Sequence, residues 1–486
     1  MKGMSVTQQH ALWKKWAQQS PLSSALLYNG QSYHWMQLSE LINAAVHQLK
    51  AHGVKSGNVV TLVGKNHVET VVLYLACLEV GAICAITMPQ PLESFFSKLT
   101  TLYPESAKRF VWLSVSAGFD EQSIDSIKQS CVMVAYRWCE KASEESKFEP
   151  STSELEVSHY NEHNPASVIF TSGSTGSPKA VMHTSAQHLA SARGLLEQFH
   201  FRHTDTWLLS LPLYHVSGLA IIYRWLQAGG CLKVGNGSLS QDIQDVSHAS
   251  LVATQLKRLL DSGQSLTLTH VLLGGSHIPL TLSQQAQSMG IETWLGYGMT
   301  EAASTVTAKK VDGTSTAGAL LNNRKLKLEQ QRIFIGGETL ASGYYVRGEL
   351  LPIVDNEGWF DSKDLGEWLG SELRIIGRAD NQFISGGENV HCEEVEAALN
   401  QFPLVSQSVV IPVQDAEFGQ RSVAFIQSSV DLTVSEMEAH LSSKLEKFKW
   451  PVQFYPIPPE AVGCGIKISR YSLKQWLNTN TLFKAC

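Results

Sequence analysis

The sequence is short of several things that would have placed it at once. Its eight cysteines, at 77, 84, 131, 139, 231, 392, 464 and 486, form no C-x-x-C pair and no Cys/His metal spacing. Neither a disulfide framework nor a zinc module is indicated, and reduced thiols in a cytosol are the expectation. There is no run of lysine and arginine, and the formal charge is only -6 over 486 residues. Nucleic acid is therefore excluded as an expected partner. No long apolar run is present: the stretch from Thr70 to Ile86 is broken by Glu79 and falls short of the roughly 20 apolar residues of a membrane span. It reads as a buried helix followed by a buried strand. The first twenty residues lack the apolar core and small-residue cleavage site of a secretory signal. Internal repeats and low-complexity tracts are absent too.

What remains is ordinary globular material, with 43% hydrophobic and 17% charged residues and enough length for two to four domains. Trp35, Leu38, Leu41, Ile42, Ala45, Val46 and Leu49 recur at helical spacing, and Gly53 can close that helix. VVTLVG (59–64) reads as a buried strand, 67–81 as a helix and CAIT (84–87) as a strand. The rhythm returns in SVIFT (167–171), TWLLS (206–210), CLKVG (231–235), HVLLGG (270–275) and ETWLG (292–296). Strands alternating with helices predict an α/β architecture with parallel sheets. After about residue 312 short strand-like runs with Gly-rich turns, such as RIFIGG (332–337), predict a β-rich subdomain. Beyond the polar linker RADNQ (378–382) a small α+β unit is expected, with a helix over 392–402, strands over 405–413 and 422–427, and a helix over 434–448 stopped by Pro451. Residues 101–150 are polar, loosely patterned and expected to be peripheral.

The most informative stretch is Thr171-Ser172-Gly173-Ser174-Thr175-Gly176-Ser177-Pro178-Lys179, which follows the apolar strand SVIF. Glycines let backbone N–H groups approach an anion, hydroxyls add donors, and Lys179 adds charge. The spacing is not that of a Walker loop. Composition alone leaves a flexible surface loop open; the flanking strand and the helical stretch at 185–199 favour phosphate binding.

The loop resembles the signature of the adenylate-forming superfamily: acyl-CoA synthetases, peptide-synthetase adenylation domains and luciferases. Five further motifs are similar and keep the same order: Leu211-Pro212-Leu213-Tyr214-His215, Gly296-Tyr297-Gly298-Met299-Thr300-Glu301, Trp359-Phe360-Asp361-Ser362-Lys363-Asp364, Gly377-Arg378-Ala379-Asp380 and Ser385-Gly386-Gly387-Glu388-Asn389. The resemblance implies a large N-terminal domain, residues 1–377 with the β-rich part at about 312–377, and a mobile C-terminal domain, 378–486, turning on a hinge at Asp380. It implies that Thr171, Ser172, Gly173, Ser174, Thr175, Gly176 and Lys179 hold the β/γ-phosphates of ATP. Thr300 then meets the α-phosphate, Glu301 helps hold Mg²⁺, Asp364 takes the ribose, and Arg378 meets the ribose or phosphate. Gly296, Tyr297 and Gly298 form a wall at the adenine; without the resemblance Tyr297 would be read as a half-buried core aromatic. His215 becomes a gate to the acyl pocket, which Gly274 and Gly275 help line, and Gly386 and Gly387 face a thiol channel. Lys467, in Gly463-Cys464-Gly465-Ile466-Lys467-Ile468-Ser469-Arg470, is similar to the C-terminal catalytic lysine. Two departures stand out: Ile466 precedes that lysine and Ala180 follows Lys179, where the family commonly has glycine.

The implied reaction uses ATP, Mg²⁺ and coenzyme A to turn a small carboxylic acid into a thioester, with no nucleic acid and no membrane span involved; an assembly of identical chains stays open. A finer resemblance is to the o-succinylbenzoate–CoA ligases of menaquinone biosynthesis, carried by 211–230, 323–345, 413–425 and the tail GIKISR (465–470). Such a substrate keeps a spare aromatic carboxylate. Ser217, Ile221 and Arg224 stand at i, i+4 and i+7, one face of a helix, so Ser217 is expected to line the acyl pocket and Arg224 to hold that carboxylate. A surface arginine lying over Trp225 or Tyr223 is the competing reading. Other aryl- or acyl-CoA ligases, carrier-loading adenylation enzymes and a non-catalytic nucleotide-binding homologue are the rival functions.

Overall fold

A computed structural model describes residues 11–138, 158–171, 178–274, 278–428, 430–461 and 468–480. The expectations for Ser172, Gly173, Ser174, Thr175, Gly176, Gly275 and Lys467 fall outside these residues.

Two large mixed sheets and one small sheet organise the chain. The eight-stranded sheet is parallel through Val59–Val63, Ile83–Thr87, Phe110–Leu113 and Pro165–Thr171. Its strands are buried on both faces, which is why they read as continuous apolar runs. Between the first two lies the helix Val68–Val80, all of whose residues are buried. That burial includes Glu79, which is kept by Lys14 at 2.5 Å. The helix Trp35–Ala51 packs on it; it starts directly after the strand Gln31–His34, where His34 and Gln37 form a reciprocal cap.

The thirteen-stranded sheet is parallel through Thr206–Leu208, Cys231–Lys233, His248–Leu251, His270–Leu273 and Glu292–Met299. Strand His248–Leu251 is short and polar at its first residue, and no strand is predicted there from sequence. Beyond Glu292–Met299 the sheet turns antiparallel. Strands between 319 and 378 continue it. The β-rich stretch after 312 is therefore hydrogen-bonded onto the large sheet; only Gly343–Val346 and Glu349–Leu351 leave it, joining the other sheet.

Two expectations need correcting. Residues 101–138 are not peripheral: Phe110, Val111 and Trp112 are buried and their strand pairs with Val59–Val63. The helix expected over 434–448 ends at Ser442, and Lys447–Lys449 form a separate 3-10 turn. The small third sheet, between Gln382 and Pro456, carries the helices Cys392–Leu399 and Val434–Ser442 on a core of Phe383, Val395, Leu399, Val410 and Leu441.

A polar cluster sits inside the apolar mass. His183 lies 4.6 Å from His188 between ring centroids, and His188 stacks on Tyr223 at 4.5 Å. His188 Nε2 bonds the Ser167 hydroxyl at 2.8 Å, and the Tyr223 hydroxyl meets Tyr74 at 2.7 Å and Ser185 at 2.9 Å. Burial pushes His183 down to about 3, against a smaller opposing pull from the Thr300 backbone, and drives His188 well below its usual value. A histidine depressed in the folded state binds its proton mainly in the unfolded chain. Its contribution is present above the ordinary histidine range and is lost as pH falls toward the folded value. His183→Phe should therefore flatten the acid limb of the stability profile by about 1.4 kcal/mol per pH unit between pH 6 and pH 4. Urea midpoints of both proteins across that window measure this; parallel profiles would show that His183 is already charged in the fold.

Candidate functional site

The apolar run ending at Thr171 forms the strand Pro165–Thr171, and the chain returns antiparallel as Lys179–Thr184, with Thr171 facing Lys179 across the ladder. Lys179 thus stands at the end of the hairpin ladder, opposite Thr171. Its Nζ lies 4.7 Å from the centroid of Tyr344, a cation–π distance. The Tyr344 hydroxyl donates to Glu301 Oε1 at 3.1 Å, and burial together with that carboxylate pushes the phenol far up. Tyr344 joins the lysine of one motif to the acid of another. No motif singled it out, although its strand neighbours the hairpin directly, Tyr344 pairing with Val181.

Thr300 and Glu301 begin a 3-10 turn at the end of strand Glu292–Met299. This is the carboxyl edge of the parallel strands, where open α/β sheets place ligands. The following strand, Ser304–Lys310, comes back so closely that a Cβ on Gly298 would sit 1.8 Å from the Ser304 carbonyl oxygen; glycine is required there by contact. The reversal is made by Ala303 and Ser304, with φ of +49° and +91°. Left-handed backbone at non-glycine residues costs on the order of 1–3 kcal/mol each and persists where the surroundings enforce it.

Tyr297, on the same strand, donates its hydroxyl to Asp364 Oδ2 at 2.6 Å. Asp364 Oδ1 accepts from Arg378 Nη1 at 3.1 Å, and Arg378 forks onto Asp380 through Nε at 2.8 Å and Nη2 at 3.0 Å. Three motifs spread over more than eighty residues of chain meet here because Asp364 and Arg378 are cross-strand partners. Burial raises the Asp364 carboxyl despite the pull of Tyr297 and Arg378. The Asp380 carboxylate is held below its usual value by Arg378, which outweighs its partial burial.

Leu211-Pro212 leads into the helix Val216–Ala228, with His215 at its N-cap position and edge-on to Tyr214 at 4.9 Å. Ser217 is half-buried in the first turn. Arg224 is only 2% exposed, so it is not a surface side chain. Its guanidinium lies 5.5 Å over the Trp207 ring; Nη2 donates to Thr305 Oγ1 at 3.1 Å and reaches Ser304 Oγ at 3.5 Å. Nε is buried with no hydrogen-bond partner, and among the described residues no ion pair engages this arginine. Burial, with a smaller push from Arg324, brings it down to about 9, so it is still charged near neutral pH. A buried cation with an unused donor is costly unless something neutralises it.

Gly274 is exposed just beyond strand His270–Leu273. Gly386 and Gly387, φ +58° and +89°, form the turn between Gln382–Ser385 and Glu388–His391, and Gly386 N–H donates to Phe418 O at 2.9 Å. Lys467 is outside the described residues, but the segment after it is anchored: Arg470 pairs with Glu396 at 2.6 Å and Glu393 at 3.2 Å, and the Ser469 side chain caps the helix Arg470–Thr479. Glu301 with Lys179 and the hairpin mouth suits a magnesium–polyphosphate: that ion takes one or two carboxylates and draws its other ligands from phosphate and water.

Comparison with known proteins leads to the same place. Residues 13–345 match the family described as AMP-binding enzyme, and residues 394–460 its C-terminal domain. The 2-succinylbenzoate–CoA ligase of Salmonella typhimurium is 38% identical over 470 residues, covering 96% of this chain and 98% of that protein. The Haemophilus influenzae enzyme of the same name is 38% identical over 477 residues, with the same coverage. Among solved structures, an Escherichia coli MenE variant with bound OSB-AMS superposes with a TM-score of 0.83 at 35% identity, covering 98% of this chain and 99% of that one. A Bacillus subtilis o-succinylbenzoate CoA synthetase bound to OSB-AMP, at 24% identity and a TM-score of 0.81 over 96% of this chain and 98% of its own, shares the fold. With both family domains matched in order and relatives aligned along nearly the whole length, the chain belongs to the AMP-binding enzyme family of adenylate-forming ligases.

Proposed function

We propose that this enzyme is an AMP-forming o-succinylbenzoate–CoA ligase of menaquinone biosynthesis. In the first half-reaction an oxygen of the succinyl carboxylate attacks the α-phosphorus of ATP, and pyrophosphate leaves. In the second, the thiolate of coenzyme A attacks the acyl carbon of the mixed anhydride, and AMP leaves.

Two anions must meet in the first step, so the barrier is lowered by fixed positive charge and donors aimed at the phosphate oxygens. Thr171, Lys179 and the Ser172–Gly176 loop hold the outer phosphates, with Tyr344 fixing the Lys179 amine. Thr300 serves the α-phosphate, and Glu301 holds Mg²⁺, which neutralises phosphate charge when bound. Asp364 receives the ribose hydroxyls, and Arg378 and Tyr297 set its orientation. Gly296 and Gly298 leave the base a flat surface. Lys467 bridges the reacting carboxylate and the α-phosphate. Between the half-reactions the C-terminal unit, 378–486, turns on Asp380, withdrawing Lys467 and presenting Gly386 and Gly387 to the pantetheine arm. His215 gates the entry to the acyl pocket, which Ser217, Gly274 and Gly275 help line.

The observation that carries the choice of acid is Arg224: a buried guanidinium with an unused donor, backed by two hydroxyls and with no acid paired to it among the described residues. A second carboxylate on the substrate supplies what it lacks. A substrate panel with Mg·ATP and coenzyme A, read as AMP release, tests this. We expect o-succinylbenzoate to exceed 4-oxo-4-phenylbutanoate, the same acid without the ring carboxylate, by roughly 10²-fold in kcat/KM, since a site built around a buried polar group rejects the analogue that leaves it unpaired. Equal use of both acids, or turnover only of long-chain acids, would rule the assignment out. Asp364→Asn should raise KM for ATP about tenfold and leave KM for the acid alone; an unchanged ATP dependence would remove Asp364 from the ribose site.

A further inference from the structure

A second buried arginine stands behind the first. Arg324 opens the strand Arg324–Glu329, is 6% exposed, and takes part in no ion pair among the described residues. Its donors go to main-chain carbonyls and one hydroxyl. Nε and Nη2 both reach the Thr305 carbonyl, at 3.0 and 2.7 Å. Nη2 also bonds the Ser191 carbonyl and hydroxyl, each at 2.9 Å, and Nη1 donates to Asn322 O at 2.7 Å. The Ser191 hydroxyl in turn donates to Ala303 O at 2.6 Å. The two residues thus seize the carbonyls on either side of Ser304, the residue at φ +91°.

That peptide is where the acyl site and the adenylation turn join. On one side it follows Thr300 and Glu301; on the other, Ser304 Oγ and Thr305 Oγ1 are the hydroxyls that face Arg224. A left-handed serine relaxes unless it is held, and relaxation swings both hydroxyls. The helix Ser185–Leu196 makes room for the clamp with Gly194, where a Cβ would lie 2.2 Å from Arg324 Nη1. Glycine in a helix is unfavourable by itself, and the guanidinium occupies the space it leaves. A neutral side chain could hold one of these carbonyls; only a planar fork of five donors reaches Thr305, Ser191 and Asn322 together. The charge has a further effect, because Arg324 is near enough to Arg224 to disfavour its protonation. Among the described residues no acid forms an ion pair with either guanidinium, and an anion beside Arg224 offsets the repulsion between them.

Resting on the assignment of a dicarboxylic acid as substrate, we propose that Arg324, acting with Ser191, is a positioning residue for acid specificity: it holds the Ala303–Thr305 backbone so that Arg224, Ser304 and Thr305 together receive the substrate's second carboxylate. Arg324 touches neither substrate nor nucleotide; it acts through the strand it grips.

The test uses the full-length enzyme with saturating Mg·ATP and coenzyme A, and reads kcat and KM for o-succinylbenzoate and for 4-oxo-4-phenylbutanoate. Arg324→Lys keeps the charge but loses the fork. Ser191→Ala removes one hydroxyl and threatens the fold least. For both variants KM for the diacid should rise about tenfold, as expected when a charge-assisted hydrogen-bond network loses its geometry, while kcat/KM for the monoacid stays within about twofold. The ratio between the two acids is the readout, since a merely structural defect lowers both together. Equal losses on the two acids, or unchanged KM for the diacid in a folded variant, overturn the proposal while leaving the substrate assignment intact. If the unaltered enzyme itself fails to prefer the diacid, the substrate assignment falls first, and this inference with it.

Discussion

Arg224→Ala should raise KM for o-succinylbenzoate by at least an order of magnitude while KM for ATP stays within about twofold. Removing one partner of a buried charged hydrogen-bond pair costs about 2–5 kcal/mol, roughly 30-fold to several-thousand-fold in kcat/KM. The ring carboxylate sits away from the bond being made, so its contacts are present in ground state and transition state alike, and their loss appears in KM first. The alternative, that Arg224 is a structural arginine, makes an opposite claim about stability. In the unliganded fold this guanidinium has an unbonded Nε, two neutral hydroxyls and another arginine nearby. Replacing a buried charge that lacks a counter-ion with an apolar side chain of similar length is neutral or stabilising. Arg224→Met should therefore melt no lower than the parent without ligand, and o-succinylbenzoate should cease to raise its melting temperature. A variant that melts well below the parent yet keeps its KM would identify Arg224 as part of the scaffold alone.

Lys467→Ala should slow formation of the acyl-adenylate by about 10²–10³-fold, the range for deleting one preorganised donor at a developing charge. Thioester formation from preformed o-succinylbenzoyl-AMP should stay within a few-fold of the parent. In the proposed mechanism the amine acts where carboxylate meets phosphate and has no task once the anhydride exists. Single-turnover measurements of the two half-reactions separate them, and equal slowing of both would show that Lys467 serves the fold or the thiol step. Arg470, three residues on in the sequence, is fixed by Glu396 and Glu393. Burial lifts Glu396 to about 7 against the pull of Arg470.

How much of this was legible beforehand differs from element to element. The parallel strands Val59–Val63, Ile83–Thr87 and Pro165–Thr171 were readable because burial on both faces leaves uninterrupted apolar runs. Strand His248–Leu251 was not, since it is four residues long and contains His and Ser; the His248 ring finds Ser247 and the His200 carbonyl only after folding. The stretch after residue 312 looked like a unit of its own because turns punctuate it; register pairing across Ala319 and Glu372 ties it to the large sheet, and pairing of that kind leaves no mark on composition. Asp364, Arg378 and Asp380 were singled out by motif, but their mutual hydrogen bonds follow from one cross-strand pairing.

The sequence by itself determined the class of chemistry. The loop 171–179 and the ordered motifs that carry Glu301, Asp364 and Arg378 resemble the adenylate-forming signature, and that order along the chain is visible without coordinates. Tertiary structure decided the environments. Arg224 is the same residue whether it lies over a surface tryptophan or is sealed in the core, and helical spacing fits both. Only the packing of the helix Val216–Ala228 against the strand Ser304–Lys310 removes it from water. Tyr344, Ser191 and Arg324 carry no motif because each works through a partner more than forty residues or only a strand away. Chemistry is written in side-chain identity, whereas solvation and strain belong to the assembled chain; that is why the first could be read along the sequence and the second had to be seen in the fold.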